Sequence, residues 1–117
     1  MTNQEELTNH LLASGLLKFP GLKPAWLKID RAKFVPPEFI SQAYEDNPLP
    51  LGKGQTISQP AVVAFMLDLL QVGKGLKVLE VGSGSGFVTA LLAELVGSNG
   101  LIVSLEIVPD LADQARR

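Results

Sequence analysis

The sequence contains no cysteine and only one histidine, one tryptophan and one tyrosine. Without cysteine there is no disulfide scaffold, no thiolate metal site and no cysteine nucleophile. A single histidine excludes a His-rich metal cluster. Neither sign of charge dominates: 12 acidic residues against 10 basic ones give a formal charge of −2. The electrostatic footprint of a nucleic-acid binder is therefore missing. No apolar run approaches the roughly 18 residues that a membrane span requires, and the longest, beginning at Ala61, is broken by Asp68. The start, MTNQEELTNH, is acidic and polar, unlike a secretory signal. What is there is a chain of 117 residues, 46% hydrophobic, too apolar for a solvating disordered segment and of a length that suits one small domain. A soluble, cytoplasmic globular protein is the expectation.

Leucines at positions 7, 11 and 12 recur at helical spacing, with Thr2 and Glu5 in a capping-box pattern and Gly15 placed to stop the helix. A second short helix is expected around Pro24 to Ile29, where Trp26 reads as core. From Phe34 to Gly54, four prolines and two glycines argue for a long packed loop holding Tyr44, Glu45 and Asp46. Ser58-Gln59-Pro60 then opens a helix that is apolar nearly all round and so is expected to be buried, ending at Gly73 and Gly75. A strand at Lys77–Val81, a helix at Phe87–Val96, a strand at Leu101–Leu105 and a helix from Pro109 follow. That alternation predicts an α/β fold, the opening β-α-β-α unit of a doubly wound, Rossmann-like parallel sheet. Two strands are few for such a sheet, so the expectation is a single incomplete, truncated domain. Residues 1–57 would form a helical and loop region near the substrate, and residues 58–117 the start of the cofactor-binding fold. His10 is expected to stand without a partner, and Arg116 and Arg117 on a solvated helix face.

The strongest chemical signal runs from Glu80 through Gly82, Ser83, Gly84, Ser85 and Gly86: a strand enters a turn with glycine at alternate positions and leaves as a helix. Glycine is required where φ is positive or a ligand approaches the backbone closely. A tight turn without ligand is the plainer account, but three glycines in five residues add unfolded-state entropy with no structural return. In the dinucleotide fingerprint the third glycine falls one residue later, where this chain has Phe87. Glu80 would also stand beside the two phosphate charges of NAD, a repulsive arrangement. A cofactor carrying an ammonium and a sulfonium suits the spot better, and S-adenosylmethionine is one. Glu106, 20 residues after Gly86, is placed to accept from both ribose hydroxyls.

Three further stretches, Arg31–Pro36 (RAKFVP), Ala43–Gly52 (AYEDNPLPLG) and Gly54–Pro60 (GQTISQP), give the chain its character. Together with the glycine loop they resemble the protein-L-isoaspartate O-methyltransferases, a branch of the S-adenosylmethionine-dependent methyltransferases. The resemblance runs from the first helix to the last residue, and GQTISQP is its most specific part. It implies methyl transfer from S-adenosylmethionine to the α-carboxylate of L-isoaspartyl residues in damaged proteins. The ester then collapses to a succinimide that can reopen as normal aspartate, so the function is protein repair. By resemblance Ser58 is the active-site serine, with Thr56, Ile57 and Gln59 near the methyl end of the cofactor. Glu80 and Gly82 to Gly86 form the cofactor loop, Glu106 binds the ribose, and the Tyr44–Gly52 loop lies near the peptide. Ser58 also reads as a helix N-cap.

The implied partners are isoaspartyl peptides and proteins, with no nucleic acid, membrane or metal. The family's domain is longer, and its later strands supply the adenine pocket and the rest of the substrate cleft. The expectation is thus that these 117 residues alone do not complete an active site. Two alternatives stand beside the methyltransferase: a non-catalytic remnant that keeps the cofactor turn, and an NAD-type oxidoreductase fragment, disfavoured by the glycine spacing.

Overall fold

A computed structural model describes residues 1–116 of the chain, with side chains to Ala112; Arg117 and the side chain of Arg116 lie outside the described residues. Helix α1 spans Gln4–Ala13. Its cap is Asn3, whose side chain accepts from the Glu6 N–H at 2.8 Å, one residue later than the sequence suggested. Thr2 instead donates its own N–H to the Glu6 carboxylate at 2.9 Å. Gly15, at φ 83°, ends the helix as expected. Its N–H reaches Leu12 O at 3.0 Å while that of Leu16 reaches Leu11 O at 3.0 Å, the paired bonds of a Schellman motif. Helix α2, Leu22–Lys28, places Trp26 wholly in the core, edge-on to Phe87 with ring centroids 5.6 Å apart.

The segment read as one long loop has more structure than its prolines suggested. Two 3₁₀ turns, Arg31–Phe34 and Pro37–Gln42, precede a hairpin of strands β1 (Leu49–Gly52) and β2 (Gln55–Ile57). Lys53 and Gly54, both at positive φ, form its two-residue turn, the geometry that suits the twist of paired strands. Pro50 is tolerated because the pair has only two strands, and the register shifts between Pro50 and Gly52.

Helix α3 spans Pro60–Leu70 and stops at Gln71 in the left-handed region, ahead of the two glycines that the sequence put at its end. The expectation of full burial fails. Val63, Ala64 and Leu67 are buried, but Phe65, Met66, Leu69 and Leu70 are all more than half exposed. An apolar sequence buries only the faces that find a neighbouring layer. Strands β3 (Lys77–Val81) and β4 (Leu101–Leu105) pair in parallel, Lys77 opposite Leu101 and Val81 opposite Leu105, with helix α4 (Phe87–Val96) as the crossover. Helix α5 (Pro109–Arg116) follows. The fold class is α/β, as the alternation predicted. Helix α4 covers the sheet face bearing Val78, Glu80, Ile102 and Ser104. On the other face Leu79, Val81, Leu101, Val103 and Leu105 remain exposed. A single cluster of buried apolar residues runs from Leu7 to Val96 and joins α1, α2, α3 and α4.

Candidate functional site

The hairpin, the start of α3 and the glycine loop meet in a small cleft of about 80 Å³. Its walls include Thr56, Ile57 and Ser58 on one side and Glu80, Gly82, Ser83, Gly84 and Ser85 on the other. Residues selected from two separate stretches of the sequence are thus brought together. No lysine, arginine or histidine is among the residues lining this cleft. Gln59, Gly86 and Glu106 do not line it. Gly86 is the N-cap of α4, at φ 90°. A wider groove of about 770 Å³ adjoins through Ser85 and runs along Lys33, Phe34, Phe39, Pro50 and Leu51.

The loop geometry explains its composition. Gly82, Gly84 and Gly86 adopt φ of 85°, 54° and 90°, conformations that a side chain disfavours. The amide of Gly82 donates to Leu105 O at 2.6 Å, and Ser83 donates to the same carbonyl at 3.1 Å, which ties the loop to the end of β4. A Cβ at Gly82 would meet nothing within 4 Å, so the backbone there borders open space. At Gly84 the nearest group is the Leu51 side chain of the hairpin, 3.8 Å away.

Both candidate acids already have partners. Glu106 accepts from Gly84 N–H at 2.7 Å through one oxygen and from Val108 N–H at 3.0 Å through the other. These backbone donors, Val108 first, hold its carboxyl below the ordinary carboxylate range. Glu80 points to the α4 side of the sheet and accepts from the hydroxyls of Thr89 and Ser104. Neither pairing was legible beforehand.

Ser58 is exposed and sits one residue before the α3 cap position, so it does not cap the helix. That duty falls to Asp46, whose carboxylate accepts from Ala61 N–H at 2.8 Å. The backbone oxygen of Asp46 accepts from Gln59 Nε2 at 3.0 Å. Its other carboxylate oxygen lies 3.4 Å from His10 Nε2, which gives His10 the partner that the sequence did not show. Tyr44 donates its hydroxyl to Asp30 at 2.8 Å, and burial, followed by that contact, raises its pKa. The 43–47 turn is therefore bolted to the first turn of α3, beside the cleft.

The family model described as "Protein-L-isoaspartate(D-aspartate) O-methyltransferase (PCMT)" matches residues 2–117. The protein-L-isoaspartate O-methyltransferase of Ignicoccus hospitalis is 47% identical over 113 residues, covering 97% of this chain and 54% of the relative. That of Anaeromyxobacter dehalogenans is 58% identical over 89 residues, covering 76% of this chain and 41% of the relative. Among solved structures, a protein-L-isoaspartate O-methyltransferase superposes with a TM-score of 0.86 at 32% identity, over 97% of this chain and 37% of its own. A putative one from Plasmodium falciparum, in complex with S-adenosyl-L-homocysteine, gives 0.87 at 28% identity, over 99% of this chain and 54% of its own. The chain spans about half the length of the curated relatives it matches most fully.

Proposed function

This chain belongs to the protein-L-isoaspartate O-methyltransferase family, and from that premise we propose that its cleft is the methyl-transfer end of a site for S-adenosylmethionine and an isoaspartyl carboxylate. The observation that carries this reading is the lining of the cleft. It joins Thr56-Ile57-Ser58 to the Gly82–Ser85 loop and has an acid, Glu80, but no cation. Such walls suit a positively charged cofactor and repel a pyrophosphate. The backbone at Gly82, open on its outer side, leaves room for close approach, and Glu106 stands at the β4 end of the same loop for a ribose. The residues present therefore fit the cofactor, which supplies an electrophilic methyl group when bound.

Positioning does the rest. An isoaspartyl carboxylate is ionised at neutral pH and needs no general base. The exposed Ser58 hydroxyl donates to one carboxylate oxygen and leaves the other to face the methyl group, so orientation and water exclusion are the chain's contribution. The 770 Å³ groove beside Ser85 takes the flanking peptide, with Pro50, Leu51 and Gly52, the end of the Tyr44–Gly52 segment, as one wall. In this reading residues 1–57 serve the substrate, residues 58–117 serve the cofactor, and the reaction is cytoplasmic protein repair.

Titration calorimetry of the 117-residue chain with S-adenosylmethionine and with NAD tests the cofactor. Tighter S-adenosylmethionine binding is expected, and tighter NAD binding refutes the reading. An isoaspartyl peptide should shift the amide resonances of Ser58 and its neighbours, and Ser58→Ala should weaken that binding while leaving cofactor affinity unchanged. Equal response to the normal aspartyl peptide would refute it.

The two-stranded sheet with one bare face favours a second reading for these residues by themselves, binding without turnover. Ligand sites enclose most of the ligand surface, and an adenine held only by this sheet edge would sit in water. Labelled-methyl assays of the chain alone should show no measurable transfer; rates matching a full-length relative would overturn this second reading.

A further inference from the structure

Arg31 opens the RAKFVP stretch, yet nothing in the reaction outlined above uses it. It is 0% exposed and is the only charged side chain in the buried set of the described residues. Burying a charge is costly unless it is fully hydrogen-bonded. Here both terminal nitrogens are saturated, and in the guanidinium the buried Nε–H alone is left without a partner among the described residues. Nη1 donates to Ala43 O at 2.9 Å and Glu45 O at 3.1 Å, and Nη2 donates to Asn47 O at 2.8 Å and Ser58 O at 3.2 Å. All four acceptors are backbone carbonyls, three on one turn and the fourth on the serine of the cleft. Behind the guanidinium, Arg31 N–H donates to Gln4 Oε1 at 3.1 Å, and Gln4 Nε2 donates to Trp26 O at 2.7 Å. The backbone of Arg31 is thus tied through Gln4 to α1 and to the Trp26 carbonyl.

Resting on the site assignment above, we propose that Arg31 is the positioning residue for Ser58: its guanidinium locks the Ser58 carbonyl to the 43–47 turn and so fixes where the hydroxyl meets the substrate carboxylate. The geometry leaves little slack. With its carbonyl held inward by Nη2, Ser58 keeps its side chain on the cleft side. Asp46, carried on the same turn, holds Gln59 and Ala61 on the far flank of the serine. Four carbonyls around one planar fork suit arginine alone. A lysine ammonium offers three donors from a single point and cannot span two carbonyl pairs.

The test compares Arg31→Lys and Arg31→Ala with the parent chain by amide hydrogen exchange and by titration with an isoaspartyl peptide. Exchange should rise roughly tenfold or more at residues 43–47 and 57–61, the scale of one lost charge-assisted hydrogen bond. Exchange at Leu91–Val96 of α4 should stay unchanged. Peptide affinity should fall to the level of Ser58→Ala with cofactor affinity retained, and free guanidinium at non-denaturing concentration should restore both readouts in Arg31→Ala. Uniform acceleration through α4, or loss of structure in both variants, would make Arg31 a general stability residue and overturn the proposal. Unaltered exchange at 57–61 would overturn it equally. A parent chain that does not bind the peptide would refute the site assignment, and the exchange result at Ser58 would still judge Arg31.

Discussion

Leu7 and Leu11 of α1 are wholly buried, whereas Leu79 and Val81 of β3, just as apolar, are 65% and 79% exposed. The helix carrying the first pair packs on α2 and α3, and the second pair faces no layer among the described residues. The difference teaches that hydrophobic sequence sets what a surface can do, and only a neighbouring element turns it into stability. The N-terminal region has its layers: two helices, a hairpin and a buried polar node around Arg31 and Gln4. Among the described residues, the layer packed on the sheet is α4.

That contrast can be broken at measurable points. Trp26→Ala empties the centre of the buried core, where Trp26 packs against Phe87, and should cost about 3–5 kcal/mol by chemical denaturation. Gly100→Ala should rank next. A Cβ there would lie 2.3 Å from Val96 Cβ and 2.8 Å from Leu76 O, so overpacking at the α4–β4 junction should cost about 1–3 kcal/mol. Asn3→Ala removes the cap of α1 and should cost about 1 kcal/mol, read as a lower melting temperature with unchanged near-UV signal. Smallest of all, Leu79→Ser on the bare sheet face should change stability by less than about 0.5 kcal/mol while reducing self-association in sedimentation. A cost at Leu79 comparable to that at Trp26 would mean that the face is covered in solution, and the contrast would collapse.

The second half of the fold was legible almost to the residue because its punctuation is glycine and proline. Gly82 and Gly86 bracket the loop between β3 and α4, Gly97 ends α4 and Pro109 opens α5. The hairpin at Leu49–Ile57 was not legible, since Pro48 and Pro50 argue against a strand and an edge pair is the exception that admits one. Thr2 and Asn3 are both good caps, and periodicity cannot choose between neighbours. In the site, the cleft-lining residues carried their own signals. Their restraints did not: Thr89 and Ser104 on Glu80, Asp46 on Ala61 and Arg31 on four carbonyls span 9 to 27 positions and involve residue types that serve many purposes. A guanidinium bound to carbonyls leaves no pattern, because every residue offers a carbonyl.

The bond from the Gly84 amide to Glu106 bears on what the loop refuses. Successive backbone N–H groups at a glycine turn ahead of a helix make a ready nest for phosphate or sulfate. In this chain the Gly84 amide is taken by the chain's own Glu106 carboxylate at 2.7 Å, and those of Gly82 and Ser83 by the Leu105 carbonyl. An entering phosphate would lose that donor and meet a like charge beside it, whereas a neutral diol could donate its hydroxyls to the carboxylate's remaining lone pairs. On the function proposed above, discrimination at this turn would come from an occupant already seated.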